Sequence, residues 1–441
     1  MAEVTVGVDI GTTSVKALAV DGDGVVLRRA RVRHGVQVPA PDRLEHDADR
    51  AWRAGVSQAW EEVSAGLTVA GVQVAAMVPS MCAVDASGHA LTPGLLYGDG
   101  RGGRPVTSDP GTSGELGAFA RWCAEAAPDA AGLWPAQAMA NHALGGVAAL
   151  DTVVAMMAGR LFANGGWDEA ACKEQGIRAE QLPTVVPTGR AVGEVAGAAL
   201  GSGTIDAYTE QLCAGAVEDG DVLVICGTTL ITWLVTPTWV EADGLWTIPA
   251  LVRGKSMIGG PSNAGGLFLE WARRLVGPAD GSDDSVEPGA VPVWVPYVRG
   301  ERTPRHDPDL RASVHDLDLT HGPAALRRAA YEAAGFVVRH HLDLAGQPAR
   351  RIVATGGGVH DAAWMQALAD VSGLPVQTVA VPEGGAYGAA FLARIVAGLG
   401  DRPTDATRWA RLGHTIEPRP AWLAPTSERY ERFRALTDGE P

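Results

Sequence analysis

The sequence predicts an α/β fold made of two similar domains, each with a mixed sheet flanked by helices. Its 441 residues exceed the size at which one hydrophobic core usually suffices. An apolar strand runs into Gly11-Thr12-Thr13 and continues into a second strand, and the same pattern recurs at Gly227-Thr228-Thr229. The second turn begins about half the chain length after the first, as expected for a duplicated fold.

The turn at Gly11-Thr12-Thr13 carries groups that suit a polyphosphate. Residues 4–10 alternate between apolar and small or polar side chains, the pattern of a strand with one buried face. Gly11 lets its backbone amide approach a ligand closely, two threonine hydroxyls follow, and Asp9 could hold a hydrated Mg²⁺. The alternative is an ordinary hairpin, which the second copy of the turn disfavours. Two such hairpins predict halves that close on one nucleotide.

The first half continues with strand pairs, a helix and a further strand. Residues 25–38 predict a strand, 48–64 an amphipathic helix with Trp52 and Trp60 in the core, and 72–78 a strand. This order, rather than a helix after every strand, is typical of one half of an actin-like ATPase.

Three other stretches have weaker patterns. Residues 98–115 are rich in Gly, Asp, Pro and Ser and predict a loop, and 277–292 predict an acidic surface loop. The Ala-rich stretch 118–200 predicts short helices.

The second half contains two long helical patterns. Residues 206–217 predict a helix ahead of the second hairpin. Residues 323–345 predict a long helix, because Pro323 suits its first turn and Gly346 lies just past its end.

A third glycine turn follows the strand predicted at 351–355. At Gly356-Gly357-Gly358, bare backbone could lie against the base and ribose of a nucleotide. An ordinary tight connection is the simpler explanation of this turn taken alone, but with the two hairpins it completes a nucleotide site. A strand at 376–381 and small residues at 384–389 then predict a final helix that packs closely.

Composition excludes several classes of partner. A formal net charge of −15 argues against binding to nucleic acids or anionic membranes, but not against ATP. The five cysteines show no C-x-x-C spacing, which predicts buried, reduced thiols and a reducing compartment. The apolar run at 222–235 is too short to cross a bilayer, and no signal peptide is apparent. A cytoplasmic protein is therefore expected.

Several motifs, in order, resemble the FGGY carbohydrate kinase family of the actin-like ATPase superfamily, and its xylulose kinase branch in particular. They are DIGTTSVK at 9–16, EHD at 45–47, YGDGR at 97–101, GTIDAYTEQLCAGAVEDGD at 203–221, CGTT at 226–229, GERTP at 300–304 and TGGGVHDAAWMQALADVSGLPV at 355–376. The resemblance covers nearly the whole chain. It implies two actin-like (ribonuclease H-like) domains, a sugar-binding one at 1–205 and a nucleotide-binding one at 206–430, with a catalytic cleft between them.

The resemblance also implies ATP-dependent phosphorylation of a small sugar, sugar acid or polyol. Asp206 would be the general base that accepts the proton of the attacking hydroxyl. The alternative role for Asp206 is a helix N-cap. Asp9 would orient Mg²⁺ through water.

The other site residues follow by position in the motifs. ATP would be bound by Gly11, Thr12, Thr13, Lys16, Gly227, Thr228, Thr229, Gly356, Gly357 and Gly358. For Lys16, a solvated side chain on a strand edge is an equally good interpretation. The substrate would meet Pro79, Asp99, Arg101 and Asp206, and for Asp99 and Arg101 the alternative is an ion pair in a surface loop.

Two positions depart from the xylulose kinase pattern. Pro79 stands where that branch has the histidine of Q-M-H-G, and Ala207 follows Asp206 where a polar residue is common. Both changes remove polar contacts to a sugar, so the substrate stays open. Two other functions are alternatives: a non-catalytic sugar or nucleotide sensor with this fold, and a chaperone-like ATPase. A homodimer is possible for the kinase.

Overall fold

The structure is a computed structural model that describes residues 3–102, 115–250, 254–277 and 286–438. The chain forms two compact units, of which the first comprises residues 1–213 and 383–409 and the second residues 214–382 and 410–441. These units differ from the predicted domains because the Asp206 helix and the last helix before residue 409 both belong to the first unit.

The elements of the described residues are named here in chain order. The strands are β1 (Val4–Ile10), β2 (Ser14–Val20), β3 (Val26–Arg33), β4 (Glu45–His46), β5 (Val69–Ala76), β6 (Ser80–Val84), β7 (Gly94–Leu96), β8 (Gly132–Trp134), β9 (Ala149–Asp151), β10 (Phe162–Ala163), β11 (Gly166–Trp167), β12 (Thr184–Val186), β13 (Ala191–Val195), β14 (Ala198–Gly201), β15 (Thr204–Ile205), β16 (Asp221–Cys226), β17 (Leu230–Thr236), β18 (Trp246–Pro249), β19 (Ser256–Ser262), β20 (Val293–Val295), β21 (Ser313–His315), β22 (Arg351–Thr355), β23 (Val376–Val379) and β24 (Leu412–Ile416). The α-helices are α1 (Gly55–Ser64), α2 (Glu115–Ala126), α3 (Ala136–Gly145), α4 (Thr152–Met156), α5 (Glu169–Glu174), α6 (Asp206–Ala214), α7 (Gly266–Val276), α8 (Pro323–Ala345), α9 (Ala362–Ser372), α10 (Gly384–Val396) and α11 (Pro420–Asp438).

The main sheet of the first unit brings three chain segments to one edge. Its order is β13-β14-β5-β1-β2-β3, with β15 also paired to β5. β1 and β2 form the predicted antiparallel hairpin, whereas β1 and β15 both run parallel to β5, with Ile10 and Ile205 each opposite Ala76. The residues that follow these strands, Gly11, Met77 and Asp206, therefore lie at the same carboxyl edge, where ligands bind in open α/β sheets.

The main sheet of the second unit repeats this arrangement. Its order is β18-β19-β17-β16-β22-β23-β24, with β16 and β17 as the second predicted hairpin. β22 runs parallel to β16, and Ile225 lies opposite Thr355. The turns that begin at Gly227 and Gly356 consequently leave the same edge of this sheet, as the nucleotide prediction requires.

Helix α10 packs through glycines against the first sheet and α6. A Cβ atom at Gly388 would lie 1.9 Å from the carbonyl oxygen of Thr209, and one at Gly7 would lie 1.9 Å from that of Ala386. A Cβ at Gly385 would lie 2.8 Å from the Asp9 carboxyl carbon. The prediction of close packing at 384–389 is confirmed. Helix α10 packs directly against Asp9 and against helix α6.

Most element predictions are confirmed, with local differences. Helix α8 begins and ends as predicted, and Gly346 is left-handed with φ 59°. The predicted helix at 206–217 ends at Ala214 because Gly215 takes φ 78°, which the helix cannot continue through.

Other stretches differ more from the predictions. The stretch 118–200 contains strands as well as the short helices expected. The predicted helix at 48–64 opens with a wider π-helical turn at Asp49–Ala54. Parts of the loops predicted at 98–115 and 277–292 lie outside the described residues.

Two further expectations concern the core and the membrane. Trp52 and Trp60 are buried as predicted, and all five cysteines are buried and form no disulfide. None of the helices in the described ranges is long and apolar enough to span a bilayer.

Candidate active site

Asp206 is the first residue of helix α6, and its carboxyl group has an unusually high pKa. The Ala207 amide donates to its Oδ1 at 2.7 Å, and the Thr209 hydroxyl donates to its carbonyl oxygen at 2.8 Å. Burial, followed by the negative charge of Asp9, raises the pKa of Asp206 to about 7, although the Ala207 amide and Lys16 act in the opposite direction. A carboxyl with this pKa can exchange a proton near neutral pH, which suits a general base.

Lys16 pairs with Asp9 beside this acid. Its Nζ lies 3.3 Å from Asp9 Oδ2, and β2, which carries Lys16, is bonded on both sides to β1 and β3 rather than being an edge strand. Burial alone would lower the pKa of Lys16, but the charges of Asp9 and Glu210 more than offset this and raise it. Lys16 therefore stays protonated and balances the local carboxylates.

Replacing Lys16 by Met should move the pH dependence of activity to higher pH. The base predicted from the sequence, Asp206, would have to be deprotonated to act, so kcat/KM should rise with pH through about 7 in the unaltered protein. Without the positive charge of Lys16, the Asp206 carboxylate is less stabilised and its pKa rises further. Profiles of kcat/KM from pH 5.5 to 9 would test this, and an unchanged midpoint would contradict it. Lys255→Met, which removes a lysine of the second unit, is the control.

The two Gly-Thr-Thr turns have the same length, but the glycine amide donates to the carbonyl three residues on in the first turn and two residues on in the second. The Gly11 amide donates to the Ser14 carbonyl at 3.1 Å, and the Gly227 amide donates to the Thr229 carbonyl at the same distance. Neither glycine has a positive φ, and a Cβ on either would meet nothing closer than 3.4 Å. Packing therefore does not require glycine at these two positions, and close approach of a ligand stays the prediction for both.

The second turn is supported by the start of helix α7. The Gly266 amide donates to the Gly227 carbonyl at 2.8 Å, and the Leu267 amide to the Thr228 carbonyl at 3.2 Å. A Cβ at Gly265 would lie 2.5 Å from the Leu230 nitrogen, so glycine is required there. Sequence reasoning missed this support, although the pair Gly265-Gly266 ahead of an apolar helix was a visible signal.

Glu301 of the GERTP motif braces the chain that leads to α7. It is buried and accepts hydrogen bonds from the Ser262 hydroxyl at 2.6 Å and from the Asn263 and Arg302 amides at 2.8 Å and 2.6 Å. Burial raises the pKa of Glu301 to about 7 despite these donors. Its contacts lie within the second unit.

The three glycines at 356–358 have different roles. Gly356 has φ 87°, and a Cβ there would lie 2.9 Å from the Cys226 carbonyl oxygen. A Cβ at Gly358 would collide with Trp364 at 2.2 Å, whereas one at Gly357 would meet nothing within 4 Å. Gly356 and Gly358 are thus required by packing, and Gly357 is the position with space for a ligand.

Asp99 and Arg101 form a buried ion pair. Arg101 donates through Nε and Nη2 to the two oxygens of Asp99, both at 2.7 Å, and through Nη2 to Glu45 at 2.5 Å. The Leu44 amide donates to Asp99 Oδ2 at 2.7 Å. Burial opposes ionisation, but the bonds from Arg101 and Leu44 lower the pKa of Asp99. These contacts hold residues 99–101 against Leu44 and Glu45. Contact with a sugar stays a prediction for Asp99 and Arg101.

Pro79 lies buried just after β5, and the Val78–Pro79 peptide is cis. Gln137, which sequence reasoning missed, holds the strand ends here. Its Nε2 donates to the carbonyls of Ala76 at 3.0 Å and Thr204 at 3.1 Å, which ties the end of β5 to the strand that precedes Asp206. The signal in the sequence was a polar Gln137 within the Ala-rich stretch that forms helix α3, and in the structure its side chain is fully buried.

The fold and these turns together define an actin-like phosphotransferase class. Residues 4–107 match the N-terminal domain of the FGGY family of carbohydrate kinases, and residues 222–397 match its C-terminal domain. The chain belongs to the FGGY family of carbohydrate kinases and is a sugar phosphotransferase. Kinases of this family use ATP as phosphate donor.

Named relatives span most of the chain. A gluconokinase from Bacillus subtilis (strain 168) is 24% identical over 84% of this chain and 83% of its own length. A xylulose kinase from Escherichia coli (strain K12) is 24% identical over 83% of this chain and 84% of its own. The crystal structure of a xyloylose kinase from Brucella ovis is similar in fold, with a TM-score of 0.80, 22% identity and coverage of 99% of both chains.

Proposed function

We propose that this enzyme transfers the terminal phosphate of ATP to a hydroxyl of a small sugar, sugar acid or polyol, with Asp206 as general base. The observation that carries the proposal is the position of Asp206, whose pKa is about 7, at the same sheet edge as the turn that begins at Gly11. The names of the relatives favour a ketose or an aldonate as the acceptor.

Asp206 would act by accepting the proton of the attacking hydroxyl as the bond to phosphorus forms. Phosphoryl transfer needs little covalent help, so positioning and charge stabilisation supply most of the acceleration. Backbone amides and hydroxyls of Thr12, Thr13, Thr228 and Thr229 would hold the phosphate oxygens, and Gly357 would lie against the nucleoside.

Asp9 fits the role proposed for a magnesium ligand. Mg²⁺ is commonly bound through one or two carboxylates, several waters and substrate phosphates. Asp9 is buried, is fixed by Lys16 and faces Gly385, where a larger residue would displace its carboxylate. The described residues contain no group of three or more His, Cys, Asp or Glu that could hold a metal unaided, so the ion would arrive with the nucleotide. Bound there, Mg²⁺ would neutralise phosphate charge.

A substrate panel tests this proposal. ATP-dependent phosphorylation should be measured with xylulose, gluconate, glycerol and related compounds, because Pro79 and Ala207 remove polar groups that a ketopentose site would use. Turnover of at least one sugar, acid or polyol is expected. ATP hydrolysis with no acceptor phosphorylated across the panel would contradict the proposal. The buried thiols, which form no disulfide, support a reducing, cytoplasmic setting, and a homodimer stays a prediction.

A further inference from the structure

The carbonyl group of Thr12, inside the first Gly-Thr-Thr turn, is held by a buried pair of aromatic side chains. Trp52 Nε1 lies 3.0 Å from His46 Nδ1, and His46 Nε2 lies 2.7 Å from the Thr12 carbonyl oxygen. Both rings are almost inaccessible to solvent, with exposed fractions of 0% for Trp52 and 1% for His46. A polar chain of this kind must satisfy every donor and acceptor in it.

The donors in this chain fix the tautomer of His46. The indole Nε1–H of Trp52 can only donate, so His46 Nδ1 must accept and carries no proton. The proton of the neutral ring is then on Nε2, where it donates to the Thr12 carbonyl. Burial lowers the pKa of His46 to about 4, so the ring is neutral throughout the physiological range.

The fixed carbonyl in turn sets the direction of an amide. In a trans peptide the C=O and the following N–H point in opposite directions. Because the Thr12 carbonyl points inward at His46, the Thr13 N–H points to the other side, and Thr13 itself is exposed. The Thr13 carbonyl is held as well, by the backbone amide of His34 at 3.1 Å.

Two further packing contacts restrict the rings of Trp52 and His46. A Cβ at Gly94 on β7 would lie 2.5 Å from the Trp52 ring, so the indole rests directly on the backbone of that strand. His34 lies edge-on to His46, with ring centroids 4.6 Å apart. The imidazole thus has little freedom to turn away from the loop.

We infer that His46, oriented by Trp52, is a positioning residue that aims the Thr13 amide at a phosphate oxygen of the bound nucleotide. The inference rests on the proposed function, since it assigns the first turn to nucleotide phosphate. His46 touches neither substrate nor reacting atoms and acts through the peptide between Thr12 and Thr13.

The test compares variants of the full chain in ATP binding by calorimetry and in steady-state kinetics. His46→Leu should raise Kd and KM for ATP by about tenfold and leave KM for the sugar within about twofold. His46→Gln should recover most of this loss, because its amide can accept from Trp52 and donate to Thr12. Trp52→Phe, which keeps the packing but frees the tautomer, should weaken ATP binding less than His46→Leu.

Two controls separate positioning from general damage. His142→Leu disrupts another histidine–tryptophan pair of the first unit, with Trp134 at 4.9 Å between ring centroids, and should leave Kd for ATP unchanged. Thermal unfolding of each variant reports any loss of folded protein. Equal losses in His46→Leu and His46→Gln, or no loss in His46→Leu, would overturn the inference.

Nitrogen NMR of the protein labelled with ¹⁵N-histidine tests the tautomer of His46 independently of the variants. His46 should show a protonated Nε2 and an unprotonated Nδ1 between pH 6 and 8, and the opposite tautomer would overturn the inference. A protein that binds ATP with the expected variant pattern but phosphorylates no acceptor would overturn the proposed function and leave the inference standing.

Discussion

Replacing Asp206 by Asn should lower kcat by about 100- to 10,000-fold while leaving KM for ATP nearly unchanged. Asn keeps the shape of the side chain and can still accept the hydrogen bond that Ala207 donates at 2.7 Å. It cannot accept the proton of the attacking hydroxyl. Steady-state kinetics on the best acceptor of the panel measures the effect, and full activity would eliminate Asp206 as the base.

The same variant should be more stable than the unaltered protein above pH 7. The ordinary pKa of the group is 3.8 and the folded value is about 7, so between these values the folded state binds more protons than the unfolded state. Its contribution to stability is therefore present at low pH and is lost as pH rises through about 7. Denaturant unfolding at pH 6 and pH 8.5 would show this, and an inactive but stabilised variant cannot be explained by misfolding. Asp129→Asn, at an exposed position of the first unit, is the control for the substitution itself.

Replacing Gly388 by Ala should lower the free energy of unfolding by about 1–3 kcal/mol and reduce activity as well. The new Cβ would lie 1.9 Å from the Thr209 carbonyl oxygen, a backbone atom with no room to retreat. Moving α10 away from α6 displaces the helix whose first residue is Asp206. Gly→Ala within a helix normally stabilises by about 0.4–1 kcal/mol, so the expected sign is opposite to the ordinary one.

Denaturant unfolding and kcat together measure the effect at Gly388. Gly322→Ala is the matched control, because a Cβ there would meet nothing within 4 Å and the residue precedes a helix, α8, of the second unit. Unchanged stability in Gly388→Ala would show that the two helices tolerate separation.

The sequence was sufficient for the parts of the fold that local patterns encode. The strand at 4–10, the repeated Gly-Thr-Thr turn and the Pro323 and Gly346 boundaries each reflect one backbone preference and are confirmed. The expectation of one buried face for this strand is wrong, because helices α1 and α10 both pack against β1 and all seven of its residues are buried. The stretch 118–200 could not be resolved because its strands have only two to five residues and depend on partners far along the chain.

The residues that hold the candidate site in place also could not be predicted from local sequence patterns. Gln137, Gly265 and the pair of His46 and Trp52 act through residues distant in sequence, so no spacing rule relates them to Asp206 or to the turns. A solvated Lys16 on a strand edge was one of two alternatives, and it is wrong because β3 pairs with the other side of β2, which the sequence does not reveal. The sequence indicates a pairing of Asp99 with Arg101. The hydrogen bonds that join this pair to Leu44 and to Glu45 at the start of β4 depend on the tertiary fold.

Because α10 completes the layer behind β1, the first unit is discontinuous along the chain. When the first 213 residues have been translated, helix α10, which packs against Gly7 and Asp9, has not yet been synthesised. Folding of this half therefore cannot be completed until α10, which ends at Val396, has been translated. A fragment that stops before Gly384 should expose the apolar back of its sheet and should be retained by chaperones rather than accumulate as a free-standing module.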